Sequence, residues 1–370
     1  MRTKGATMQD IAEAAGVSQS TVSMILNQKS NAFPAATIEK VMAAAVSLNY
    51  HFRRSAVPAS NNTVLVICVQ ATNPYYAAML QGIDRAAIPQ SINIVTSCTY
   101  HNPAVESAAL QMAIDQHFLG VIFLYPPDNE EAYESANPRI PIVTICDKSS
   151  RVAGDIVELN NFEAGVLAAS HLLSLGHTNI AVLTHSSDRA TTSQATRVNG
   201  ILSEVRQVVS EDHLLVLTGN NAKAGILEEK CFHYHVGYSL AQNKKLYHNG
   251  ITGLICVNDL MAYGVMDALI EKGYRIPEDF SVIGSDNLLF SSMSRVSLTT
   301  IEHHPDIVAQ SALTTLLNRT HMSVTNQSAS NTARFQVQCK PNLIVRGSTG
   351  PVRTGVLPPA ETPAKSEARP

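Results

Sequence analysis

The stretch GVSQSTVSMILNQ, Gly16 to Gln28, reads as a turn followed by a short helix. One face of that helix is apolar: Val17, Val22, Ile25 and Leu26. The other carries Gln19, Ser20, Ser23, Met24 and Asn27. A solvated helix face ordinarily carries charge, and this one carries none. A helix in a major groove reads base edges with hydrogen-bonding side chains on its exposed face. Helical spacing places these five residues on one arc, away from the packed positions. The same arc would also suit the wet side of an ordinary helical hairpin, so the surrounding sequence has to decide.

Upstream, Thr7-Met8-Gln9-Asp10 has the form of a helix start. Gly16 breaks that helix, and Ser18 is placed to cap the next. Pro34 suits the first turn of a third helix, with Ile38, Val41, Met42 and Ala45 at helical spacing. Residues 1–50 therefore read as a three-helix, helix-turn-helix DNA-binding domain, and 51–62 as a hinge or linker. From Thr63 the pattern changes to apolar strands alternating with helices, from TVLVICVQ through to FSVIGS, in two tandem sets. Such alternation implies parallel sheets covered on both faces, here as two doubly wound lobes of one domain over 63–349. The first lobe is expected to take about 63–159 and 291–319, the second about 160–290 and 320–349. Residues 350–370, rich in Pro, Thr and Ala, read as a disordered tail. Ligands of open parallel sheets bind beyond the carboxyl ends of the strands, so a ligand is expected between the lobes.

With 370 residues and 45% hydrophobic content, the chain can bury full cores. A net charge of −3 argues against a uniformly basic nucleic-acid coat, but not against one small basic domain. The six cysteines lie far apart, without Cys-x-x-Cys, and most sit in strand-like runs. That usage suggests a reducing compartment and no zinc site. No signal-peptide-like or membrane-spanning run is present, so the expected location is cytoplasmic and no membrane partner is expected.

MQDIAEAAGVSQSTVSMILNQ resembles the helix-turn-helix of the lactose-repressor (LacI/GalR) family, "DVAxxAGVSxxTVSRVLN". The likeness continues in family order with LLSLGHTNIAVLT, QATRVNG, VNDLMAYGVMDAL, IPEDFSVIGSDN and PNLIVRGST, covering about residues 8–349. The resemblance implies an α/β chain: an N-terminal helix-turn-helix headpiece, then a two-lobed periplasmic-binding-protein-like domain. It implies a homodimer on a near-palindromic double-stranded operator, controlled by a small-molecule effector, most simply a sugar. On that reading the DNA-binding residues are Thr7, Gln19, Ser20, Ser23, Met24, Asn27, Lys29, Arg53 and Arg54. Phosphate contacts would come from Arg2, Lys4, Lys29, Lys40, Arg53 and Arg54. Two departures stand out. Met24 occupies a position where the family has Arg, replacing a guanine-reading fork with an apolar contact. The hinge reads YHFRRSAVPASNN, with Val57-Pro58 interrupting the helix and Ala59 at the leucine wedge position, which predicts a smaller operator bend.

Asp147, Arg197, Asn258 and Asp286 stand at strand ends or turns where the cleft is expected, and relatives use the matching positions to hold a sugar or purine. Asn73 and Tyr125 end strands of the first lobe, and Phe232 matches the position that stacks on a sugar. These seven are the candidate effector residues. Asp147, Arg197 and Asp286 would equally suit a structural ion pair, and Asp259 and Ser281 read as cap or turn residues. Ser285, where the family has an aromatic, would widen the pocket. The pairs His233/His235 and His303/His304 lack a third ligand at metal spacing and read as surface or loop histidines. In the helix YYAAMLQGIDRAA, Tyr76, Met79, Leu80 and Ile83 form a stripe suited either to a subunit contact or to the lobe's own core. No catalytic, cofactor or metal motif is present, so the chain reads as no enzyme. A transcriptional regulator, most simply a repressor, is the leading reading; a receptor-like ligand binder without productive operator binding is the alternative.

Overall fold

Thr7 opens the first helix through a reciprocal cap: its Oγ1 accepts the Asp10 N–H at 3.3 Å, and the Asp10 carboxylate accepts the Thr7 N–H at 2.6 Å. This helix, α1 (Met8–Ala15), ends at Gly16, whose φ of 68° a residue with a side chain would adopt only with strain. After the turn, Ser18 Oγ accepts the Thr21 N–H at 3.1 Å and starts α2 (Gln19–Leu26). With α3 (Ala35–Ser47), these helices bury Ile11, Ala12, Val22, Ile25, Val41, Ala44 and Ala45 together. The computed structural model describes residues 7–26, 33–48, 61–146, 154–185, 192–219, 231–248, 250–325, 334–353 and 355. Residues 1–59 form one compact unit and 60–370 another.

The second unit starts with β1 (Asn61–Cys68), α4 (Pro74–Ala87), β2 (Asn93–Cys98), α5 (Pro103–Asp115), β3 (Phe118–Phe123), α6 (Glu130–Ala136), β4 (Ile142–Cys146) and β5 (Asp155–Leu159). It continues with α7 (Asn161–Ser174), β6 (Ile180–His185), α8 (Thr192–Val205), β7 (Leu214–Gly219), α9 (Phe232–Leu240), α10 (Lys245–His248), β8 (Gly253–Cys256), α11 (Asp259–Glu271) and β9 (Ser281–Ile283). The last elements are β10 (Thr300–Glu302), α12 (Pro305–Thr325), β11 (Gln336–Cys339) and β12 (Asn342–Ile344). Two parallel sheets result, ordered β11-β5-β4-β3-β1-β2 and β7-β6-β8-β9, with β10 and β12 as an antiparallel pair. Buried runs such as Val64–Cys68 and Val121–Leu124 explain why both faces of the first sheet are covered, α4 and α12 on one side and α5 and α6 on the other. The second sheet is covered by α7 and α8 on one face and α9 and α11 on the other.

Three sequence expectations change. Residues 291–304 were expected in the first lobe, yet β10 pairs with β12 and Ile301 and Leu343 pack into the second lobe's core. Residues 320–349 were expected in the second, where β12 and Ser348 do lie, yet β11 joins the first sheet beside β5. The fastener is Arg319, whose Nε and Nη2 donate to the two Asp155 carboxylate oxygens at 2.8 and 2.5 Å while Asp155 Oδ1 also accepts the Phe335 N–H at 2.9 Å. The tail begins later than Gly350: the Val352 N–H donates to the Leu175 carbonyl at 2.9 Å, and Gly350 O lies 3.0 Å from His177 Nε2. The stripe on α4 faces its own lobe, because Met79 and Ile83 are fully buried in the core and Tyr76 and Leu80 pack against it. No helix among the described residues is long and apolar enough to cross a membrane.

Candidate nucleic-acid face and candidate effector site

The helix α2 is sorted by side. Val22 and Ile25 lie in the core, while Gln19, Ser20 and Met24 are exposed and Ser23 is half-buried. Four of the five residues of the expected arc are therefore outward or partly so, with no charge among them. Thr7 lies at the α1 start, and its hydroxyl is already engaged with Asp10. Asn27, Lys29, Arg53 and Arg54 lie outside the described residues, as do Arg2, Lys4 and the hinge positions Val57, Pro58 and Ala59. Lys40 is exposed on α3.

In the second lobe, α7 and α8 touch backbone to backbone. A Cβ on Gly165 would lie 2.1 Å from the Arg197 carbonyl oxygen, and one on Gly200 would lie 2.1 Å from that of Phe162. This approach sets where Arg197 stands. Gly165→Ala is expected to force the helices apart, cost about 1–3 kcal/mol and lower the thermal midpoint by several degrees. An unchanged melting curve would show that the crossing is not needed.

Arg197 is buried, and its donors are largely committed. Nε and Nη2 donate to Asn161 Oδ1 at 3.1 and 2.7 Å, and Nη1 donates to the Val257 carbonyl. His303 Nε2 lies 3.3 Å from Arg197 Nη2 and 3.0 Å from Ser285 Oγ. Burial, Arg197 and His304 push the His303 imidazole well below its ordinary value, so it is neutral and Nε2 accepts from both neighbours. Asp286 follows β9 with φ 122°, its N–H donating to the Ile301 carbonyl at 2.9 Å. Its Oδ1 stands 3.8 Å from Arg197 Nη1 and 3.9 Å from His303 Nε2, beyond hydrogen-bond reach. Among the described residues no side chain hydrogen-bonds to the Asp286 carboxyl.

That geometry explains the electrostatics. Burial raises the Asp286 carboxyl to about 8; Arg197 pulls the other way, and Asp259 and Glu302 add to the rise. The carboxyl is then protonated and neutral near pH 7, able both to donate and to accept. A raised folded-state value means that stability is fully present below 3.8 and is lost as pH rises towards 8, because unfolding then releases a proton. Wild-type protein should therefore lose more of its urea midpoint between about pH 5 and about pH 8 than Asp286→Asn does. Parallel curves would mean that Asp286 ionises normally.

Of the other candidates, Asn258 adjoins the cluster, since Val257 before it accepts from Arg197. Asn258 caps α11, accepting the Met261 N–H at 2.9 Å, and Asn73 caps α4, accepting the Tyr75 N–H at 3.0 Å. Tyr125 does not offer its hydroxyl to a cleft: it is buried, donates to Glu106 at 2.8 Å and lies 2.6 Å from Thr99 Oγ1. Glu106 also takes the Asp128 and Asn129 N–H groups, so Tyr125 is a strut of the first lobe. Phe232 starts α9 with its ring centroid 5.7 Å from His185 and 5.4 Å from His233. His233 is held neutral, pushed down to about 3 by burial and by His185. Asp147 lies outside the described residues. Asp259 is fully buried, accepting the Leu288 N–H and the Ser291 and Thr300 hydroxyls, a turn-fastening role like that of Ser281 on Gly350.

Sequence reasoning missed Asn161 and misread His303, which is a buried partner of Arg197 and not a surface histidine. Tyr76, on α4 of the first lobe, has its phenol pushed up, first by burial and then by Cys68, Asp128 and Asp286. No group of three or more potential metal ligands occurs among the described residues.

Residues 7–52 match the bacterial regulatory proteins of the lacI family, and residues 169–349 match the periplasmic binding protein-like domain. The HTH-type transcriptional repressor PurR of Mannheimia succiniciproducens is 28% identical over 349 residues, 93% of this chain and 98% of that protein. The lac repressor dimer bound to operator and the anti-inducer ONPF shares the fold with a TM-score of 0.66 at 24% identity, over 94% of this chain and all of that one. A LacI family regulator from Enterococcus faecium with bound ribose shares it with a TM-score of 0.63 at 24% identity, over 79% of this chain and all of that one. Headpiece match, domain match and near full-length likeness to transcriptional repressors lead to one assignment: the chain belongs to the LacI family of DNA-binding transcription regulators.

Proposed function

We propose that the protein is an operator-binding repressor whose affinity for DNA is set by a small polyhydroxylated effector, a sugar or sugar derivative, held at the Arg197–Asp286 cluster. The observation that carries this reading is the Asp286 carboxyl. Its side chain is only 12% accessible and has no hydrogen-bonding side-chain partner among the described residues, 3.8 Å from a guanidinium fixed by Asn161. A sugar's adjacent hydroxyls would hydrogen-bond that carboxyl and the guanidinium beside it. The ribose held by the Enterococcus faecium regulator supports that ligand class. Asn258, Asn73, Asp147 and Phe232 remain candidates for the surrounding wall.

On the DNA side, Gln19, Ser20 and Ser23 would read base edges, and Met24 would favour an apolar contact such as a thymine methyl. A homodimer would place two such helices on a near-palindromic site. The test is selection of bound fragments from sheared genomic DNA by the purified protein. A small set of two-fold-related sites, bound less tightly as salt rises, is expected. Absence of any enriched site would favour the receptor-like alternative.

A further inference from the structure

Cys68 and Cys98 close neighbouring strands β1 and β2, which run parallel with these two residues in register. Their Sγ atoms lie 3.7 Å apart. Paired strands stand about 4.8 Å apart, inside the Cα separation of about 4.4–6.8 Å that a disulfide spans. The two thiols differ in access: Cys68 is fully buried against α4, and Cys98 is partly exposed at the sheet edge. Beyond them the chain stays paired, the Thr99 and Tyr100 N–H groups donating to the Cys68 and Val69 carbonyls at 3.0 and 2.9 Å. Closing the gap therefore needs side-chain rotation and little backbone movement. Neither thiol has a part in the proposed effector site.

We propose that Cys68 and Cys98 are a reversible oxidation site, forming a disulfide with hydrogen peroxide as oxidant. The more accessible Cys98 sulfur attacks one peroxide oxygen, the O–O bond breaks, and the departing hydroxide takes the Cys98 proton as water. The resulting sulfenic acid meets the Cys68 sulfur, the S–O bond breaks, and the hydroxyl leaves with the Cys68 proton as a second water. Two thiols lose two electrons and the peroxide is reduced to two waters. The disulfide closes a loop that includes α4 and ties the strand end leading to Asn73 to the one leading to His101. A protein kept in a reducing compartment ordinarily forms such links only transiently, which suits a sensor and not a structural bridge.

The test uses full-length Cys231→Ser protein, which removes the exposed thiol as a source of links between chains. Brief peroxide treatment, alkylation after unfolding and non-reducing peptide mapping should give a Cys68–Cys98 linked peptide, absent after dithiothreitol and absent in Cys98→Ser. The linked protein should melt several degrees higher than the reduced form. Both cysteines recovered alkylated, or Cys98 recovered as sulfinic acid with Cys68 still reduced, overturns the proposal. So does a linked protein that melts lower, since the native register would then not accommodate the bond.

Discussion

Arg197→Ala is expected to weaken effector binding about ten- to a hundredfold, from the loss of one charge-assisted hydrogen bond worth about 1.5–3 kcal/mol at tenfold per 1.4 kcal/mol. The substitution removes the group beside Asp286 and leaves Asn161 Oδ1 and the Val257 carbonyl without their donor. Operator affinity without effector should hold within a few fold, because the helix-turn-helix has its own core, with Ile11, Val22, Ile25 and Val41 buried. Since the guanidinium also fastens α7 and α8 to the sheet, the variant should melt lower as well. Asp286→Asn separates the two effects: it keeps the shape and the neutral charge but changes the donor, so its fold should survive while its ligand affinity falls. The measurement is an effector titration with ribose and other aldoses, followed by thermal shift and by operator release. Wild-type midpoints in both variants would place the ligand elsewhere.

Arg319→Ala should be the most destabilising of the single changes considered. It strips a buried carboxylate of its two-pronged partner, a loss of about 3–5 kcal/mol for a broken buried pair. Asp155 is almost wholly buried, its side chain 2% accessible, and the pair links α12, β5 and the entry to β11. Arg319→Lys keeps the charge without the fork and should recover part of the loss. Adding Asp155→Asn to Arg319→Met should also restore stability, because the charge left behind is then gone. Urea unfolding reads all three, and an unchanged midpoint in Arg319→Ala would show that β11 is held by its ladder alone.

How much of this was legible in the sequence differs by element. The helix-turn-helix could be read because its signals are local: Thr7 and Asp10 lie three residues apart, Gly16 needs a left-handed backbone, and Val22 and Ile25 repeat at helical spacing. The alternation of buried strands and helices gave the two parallel sheets. What failed needed distant information. QVQC alternates like any edge strand, and nothing in it says which sheet it joins; Arg319 and Asp155, 164 residues apart, decide that. The α4 stripe looks the same whether it faces its own sheet or another subunit. Tyr125 stood at the right strand end, but its hydroxyl is consumed by Glu106, a partner invisible without tertiary structure. His303 lacks the spacing of a metal ligand, and its actual neighbour is a guanidinium 106 residues away in sequence. Asn161 carried no signal beyond opening a helix after a strand.

Occupancy of the Arg197–Asp286 cluster is proposed to control operator affinity. Its most direct test is fluorescence anisotropy of an operator fragment recovered by genomic selection, titrated with protein at rising concentrations of an aldose that binds the wild type. Wild type should show a tenfold or greater change in operator affinity, on the order of 1.4 kcal/mol of coupling, and Asp286→Asn none at the same sugar concentration. An equal response in the two proteins, or operator affinity indifferent to a sugar that demonstrably binds the wild type, would contradict it.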